Sequence, residues 1–134
     1  LATPQSQFSL SEALWGLLPC CVLPYLIRRV GFQVAYRLTL TTQPIDGQEA
    51  YRIQLIDELC DQPETTLRKY LLRLSRLAPQ TLIDMKVYFR KLWLINDEME
   101  QLAVHEITRL MHSQRVQQNI YNYVNHSQFP WDKI

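Results

Sequence analysis

Apolar positions along the chain form one dense early block and, later, three helical stripes. The early block runs from Phe8 to Gln33, FSLSEALWGLLPCCVLPYLIRRVGFQ, with Glu12 as its one acidic residue ahead of a long apolar stretch. Further on, Leu67, Leu71, Leu74 and Leu77 recur at helical spacing, with Arg68, Lys69, Arg73 and Arg76 mostly off that face. Leu82, Met85, Phe89 and Leu92 make a second stripe, and Met99, Ala103, Ile107 and Leu110 a third. A stripe of this kind predicts an amphipathic helix with its apolar face in a core. Start signals agree. Asp46 with Glu49, and Asp97 with Glu100, have capping-box spacing, and Pro63 and Pro79 suit first-turn positions. Only three glycines occur, and no long alternating run argues for strands. Three amphipathic helices in succession exceed what the short preceding segment can cover, so they are expected to pack on further polypeptide.

Glu12 changes the picture from packing to chemistry. A carboxylate entering an apolar stretch loses hydration, and a carboxyl that can both take and give a proton suits acid–base catalysis. The alternative is an exposed Glu in a first helical turn, where the dipole favours it. The histidines are open in the same way. His112 and His126 sit near predicted helix ends, where a cation is favoured. His105 lies mid-helix beside Val104 and Glu106, and a lone His there is usually structural or solvent-facing, though it can transfer a proton.

Composition narrows the classes. A net charge of +1, with Lys and Arg spread among the helices, gives no argument for nucleic acid. Three cysteines, two of them adjacent, make no disulfide framework, and no metal-ligand spacing is present. No His or Lys lies within several residues of Cys20 or Cys21, so nothing nearby would activate a thiolate. Such cysteines usually act as small buried hydrophobes. The apolar run around Leu14 to Ile27 is broken by two prolines and ends at paired arginines, too short for a membrane span. With no signal peptide visible, the chain reads as cytoplasmic.

Spacing within the early block carries a resemblance. Phe8, Glu12, Gly16, Pro19, Arg28, Arg29, Val30 and Gly31 fill the places of F-G-x-x-E, G-x-x-P and a basic helix ending in V-G. A second block follows: Leu38-Thr39-Leu40-Thr41, Pro44-Ile45-Asp46-Gly47-Gln48-Glu49-Ala50, then Leu55-Ile56-Asp57-Glu58. Together they resemble the crotonase superfamily of enoyl-CoA hydratases and isomerases, in the segment with its second catalytic glutamate. Where common hydratases have P-G-x-G-G, this chain has Pro19-Cys20-Cys21-Val22-Leu23-Pro24. That variant, with Leu26-Ile27-Arg28-Arg29 and Thr41-Thr42-Gln43-Pro44-Ile45, looks like one branch, the dehydratases of polyketide β-branching cassettes. The ending Tyr123-Val124, then Gln128-Phe129-Pro130-Trp131-Asp132, resembles that branch as well.

The resemblance implies an α/β fold, the crotonase-type ββα spiral, with this chain as its mostly helical C-terminal portion. Residues 1–62 would end the spiral core and carry the glutamate segment; residues 63–134 would form a helical trimerisation region. An N-terminal half would lie outside these residues and supply at least one backbone N–H of the oxyanion hole. Such preorganised donors are commonly the largest catalytic term, so this chain alone is not expected to turn over substrate. The implied reaction is dehydration of 3-hydroxy-3-methylglutaryl carried on an acyl carrier protein, giving 3-methylglutaconyl. Glu12 would be the catalytic residue, and Leu17, Pro19 and Cys20 would bind substrate, with Cys20 where ordinary hydratases have Gly. His105 is a secondary candidate. In the decarboxylase sisters of the same cassettes a His in this helical region works with an upstream Lys, but those sisters generally lack an acid matching Glu12. The alternatives are that decarboxylase, an enoyl-CoA hydratase or isomerase, and, from another class, a non-catalytic helical oligomerisation or docking module. No metal or organic cofactor is implied, because phosphopantetheine travels with the substrate. The implied partners are the acyl carrier protein, the N-terminal half and two further copies in a homotrimer, with no nucleic acid and no membrane. Phe129 and Trp131, in the tail from Gln128 to Ile134, would anchor on a subunit surface.

Overall fold

Asp46 acts as its spacing from Glu49 predicts. In a computed structural model that describes residues 1–93 and 95–133, its side chain accepts the Glu49 N–H at 2.8 Å and opens a short helix, Gly47–Arg52. Ile134, the last residue of the predicted tail, lies outside the described residues. Two prolines start helices as expected, Pro63 in Pro63–Leu74 and Pro79 in Pro79–Lys91. Their fixed φ suits a first turn, and the missing N–H has no partner to lose there. The next helix, Asp97–Met111, is capped one residue earlier than the spacing suggests. Asn96 is extended and accepts the Met99 N–H at 3.0 Å. Asp97 then joins Glu98 and Glu100 in the first turn, where the dipole favours carboxylates.

The described residues thus hold seven α-helices. In chain order they are α1 (Leu23–Val30), α2 (Phe32–Thr41), α3 (Gly47–Arg52), α4 (Pro63–Leu74), α5 (Pro79–Lys91), α6 (Asp97–Met111) and α7 (Gln114–His126). Strand β1 (Gln7–Phe8) pairs antiparallel with β2 (Ile45–Asp46), placing Phe8 opposite Ile45. The first residues are tied down separately. Ala2 donates its N–H to the Glu58 carbonyl at 3.1 Å and accepts from the Cys60 N–H at 2.9 Å. A small core forms behind the strand pair from Leu38, Ile45 and Ala50, with Phe8, Val34, Ile53, Leu55 and Ile56 packed against it. This core holds the segment that leads from β1 into the Glu12 turn.

Gly47, between Ile45 and Ala50, is buried and closely approached by backbone. Its N–H reaches the Pro4 carbonyl at 3.4 Å, and a Cβ there would collide with the Thr3 carbonyl oxygen. Backbone cannot retreat as a side-chain tip can. Gly47→Ala is therefore expected to destabilise the fold by ~1–3 kcal/mol, the range for overpacking, read as a lowered midpoint in urea with unchanged slope.

The two sequence blocks meet in space. Arg29, at the end of α1, donates to the Leu55 carbonyl at 3.3 Å and to Asp57 at 2.6 Å. Glu49 accepts from two nitrogens of Arg52, Nε and Nη2, each at 2.6 Å, and from one of Arg37 at 3.2 Å. The Arg52 bonds hold the Glu49 carboxyl below its usual range, and Arg29 does the same for Asp57. These pairs are exposed and fix orientation more than they stabilise.

Of the three stripes, one reaches a core within this chain in part, with Met99 at its start left 42% exposed. Ala103 and Leu110 of α6 are buried. On α4 and α5 the stripes face outward: Leu71 is 53% exposed, Phe89 55% and Leu92 60%. Periodicity sets which face of a helix is apolar, whereas what covers that face depends on chain elsewhere.

The tail is anchored on a surface of this chain. Phe129 and Trp131 pack on the chain itself, stacked on each other at 4.7 Å between ring centroids and set against Trp15. Tyr123, at 5.0 Å, also borders Phe129 and lies edge-on to Trp15.

Candidate active site

Glu12 begins a single 3-10 turn, Glu12–Trp15, with no side-chain cap at Ser11. The turn closes on Gly16 in the left-handed region, φ 83°, where the N–H reaches the Ala13 carbonyl at 3.1 Å. Leu17 then donates its N–H to the Glu12 carbonyl at 3.0 Å. Glycine suits position 16 because the left-handed φ strains a residue with a Cβ; the flexible Arg115 guanidinium, 3.3 Å from where a Cβ would stand, could give way by a few tenths of an ångström.

A four-residue turn has little stability of its own, because nucleating a turn orders more dihedrals than its first bonds repay. Its support comes from α7 and the tail. Asn119 donates to the Trp15 carbonyl at 3.2 Å, and Arg115 to the Gly16 carbonyl at 3.4 Å. The Trp15 ring meets Tyr123 edge-on at 4.9 Å, with Phe129 and Trp131 each at 6.2 Å. Asp132 ties the tail back by accepting the Phe129 N–H at 2.8 Å.

On this turn the Glu12 side chain is half-buried. Its Oε2 is sealed from solvent and has no hydrogen-bond partner among the described residues. A buried carboxylate oxygen normally finds a donor, since desolvation without one is costly. An exception of this kind calls for an explanation, and a catalytic role is one of those open to a carboxylate. The exposed first-turn reading of Glu12 is therefore set aside.

The other predicted site residues divide. Leu17 is half-buried and tied to Glu12 through backbone. Pro19 is buried, and its carbonyl accepts from Val22 and Leu23 to start α1. Cys20 lines an apolar cleft of about 630 Å³ between α1 and α6, beside Leu23, Ile27, Ala103 and Glu106. Burial, with the Cys21 thiol next, pushes the Cys20 thiol up, which disfavours the thiolate. Arg109 holds Glu106 at 2.8 Å and keeps that carboxyl below its usual range. Cys20 thus stands in the wall of that cleft with its thiol form favoured. His105 is exposed on α6, makes no hydrogen bond among the described residues and does not line that cleft. The pattern of residue types did not single out Trp15, Arg115, Asn119 or Tyr123 as part of this site. The one available signal was a pair of polar side chains four apart on α7, which also fits an ordinary wet helix face.

Residues 1–133 match the family model described as enoyl-CoA hydratase/isomerase. The chain is 39% identical over 132 residues to the bacillaene synthase dehydratase PksH of Bacillus subtilis (strain 168), across 98% of this chain and 51% of that protein. It superposes on the crystal structure of a polyketide biosynthesis enoyl-CoA hydratase, PksH from Bacillus subtilis, with a TM-score of 0.83. That match is 38% identical and covers 96% of this chain and 51% of the other. An enoyl-CoA hydratase from Mycobacterium avium superposes with a TM-score of 0.80 at 23% identity, over 98% of this chain and 53% of its own, a likeness of fold alone. The chain spans about half the length of the relatives it matches. No helix of the described residues is long and apolar enough to cross a membrane.

Proposed function

Because this chain belongs to the enoyl-CoA hydratase/isomerase family and has the C-terminal part of the crotonase fold, we propose that it carries the proton-transferring glutamate of a dehydratase. The substrate in this reading is 3-hydroxy-3-methylglutaryl on an acyl carrier protein, and the product is 3-methylglutaconyl. The observation that carries it is the sealed, unpartnered Oε2 of Glu12 on a turn fixed from outside. The dehydratase name of the Bacillus subtilis relative supports the reaction class, and its polyketide context supports a carrier-bound thioester.

The chemistry follows from the thioester. Its carbonyl acidifies the neighbouring C–H, and Glu12 removes that proton. The electron pair moves toward the carbonyl oxygen, where backbone donors of the N-terminal half stabilise the enolate. Collapse of the enolate forms the C=C bond and breaks the C–O bond. The proton held by Glu12 then leaves with the hydroxyl as water. Leu17, Pro19 and Cys20 border the acyl group, and no metal or organic cofactor takes part.

Turnover by the complete protein and by its Glu12→Gln variant tests this reading. Its companion is His105→Ala, which is expected to leave dehydration within about tenfold of wild type, since an exposed side chain without partners has no obligatory proton to move. An inactive His105→Ala enzyme would transfer the mechanism to the decarboxylase reading.

A further inference from the structure

The support beneath Glu12 comes from the other end of the chain, and it is made of directed bonds as well as packing. Arg115 and Asn119 stand four apart on α7, so they present one face. They donate to two successive carbonyls, Gly16 and Trp15, at the end of the turn that Glu12 opens. Gly16 leaves the Arg115 guanidinium room to lie close against the turn. The Trp15 ring is held on its own flank by Tyr123, Phe129 and Trp131. Ser11 contributes no cap, so the turn has no side-chain anchor at its start.

We propose that Arg115 and Asn119 are positioning residues that set the direction of the Glu12 carboxylate by fixing the Trp15 and Gly16 carbonyls. The inference rests on the catalytic reading of Glu12. Neither side chain touches the reacting atoms. Each acts through the turn, so its loss should affect the rate of proton transfer more than the affinity for substrate. A shift near 1 Å in a reacting group costs about 10²-fold in rate, which bounds the expected effect.

The test measures kcat and KM of the complete protein carrying Arg115→Lys, Asn119→Ala, or Arg115→Ala with Asn119→Ala, each with Glu12 intact and with Glu12→Gln. The double variant is expected to lower kcat about 10–100-fold with KM within about threefold. Arg115→Lys keeps a donor and should stay within about threefold of wild type. On the Glu12→Gln background the double substitution should cost nothing further, because no working carboxylate remains to be misplaced. A double variant with kcat within about threefold of wild type would overturn the proposal, as would a loss that persists in full on top of Glu12→Gln. Should the double variant fail to fold, Asn119→Ala decides alone: about a tenfold fall in kcat supports the inference and an unchanged kcat ends it. Glu12→Gln with wild-type turnover would instead remove the catalytic reading itself, a separate result.

Discussion

Glu12→Gln in the complete protein lowers kcat by about 10²–10⁴, the usual worth of a positioned proton-transfer group, and leaves the fold intact. Two features separate these effects. Glutamine matches glutamate in size and shape, so the half-buried site stays filled. Among the described residues Oε2 also has no hydrogen-bond partner, and the turn is closed by the backbone bonds of Ala13, Gly16 and Leu17. The loss should appear equally in kcat and kcat/KM, as expected for a group that acts only in the transition state. A fall confined to KM would instead assign Glu12 to substrate binding.

Local features of this fold are legible in the sequence, and distant ones are not. Asp46 with Glu49 and the two prolines at helix starts are decided within a few residues, and each acts as its spacing predicts. Asn96 displaces Asp97 as the cap of α6 because either could accept from a first-turn N–H, and spacing alone does not rank two neighbours. The stripes on α4 and α5 are correctly apolar, but their cover lies on no element that the pattern names. The site shows the same division. Phe8, Glu12, Gly16 and Pro19 form a motif within twelve residues, so the turn itself is readable. Arg115 and Asn119 reach that turn across about a hundred residues of chain, and no local rule selects them from the other polar residues of α7.

The second large effect concerns α4 and α5. In the complete protein these helices should be covered by further polypeptide, including neighbouring copies in a trimer. Leu72 is 65% exposed, Leu92 60% and Tyr88 61%, alongside Leu71 and Phe89. Fully burying a large apolar side chain contributes about 1.5–3 kcal/mol, so several left wet on two successive helices form an adhesive surface. The 134-residue chain alone should therefore self-associate at about micromolar concentration. The complete protein should scatter light as a trimer, with the α4 and α5 amides protected from hydrogen exchange. A stable monomer with those amides protected would show that each subunit covers its own helices. Exposed amides in a trimer would move the interface elsewhere.

The most direct measurement is the intact mass of the acyl carrier protein after a single turnover of its 3-hydroxy-3-methylglutaryl thioester by the complete protein and by Glu12→Gln. The account predicts a carrier lighter by one water with the wild type, no loss of carbon dioxide, and unchanged substrate with Glu12→Gln over the same time. Dehydration at the wild-type rate by Glu12→Gln, or a product lighter by carbon dioxide, would contradict it.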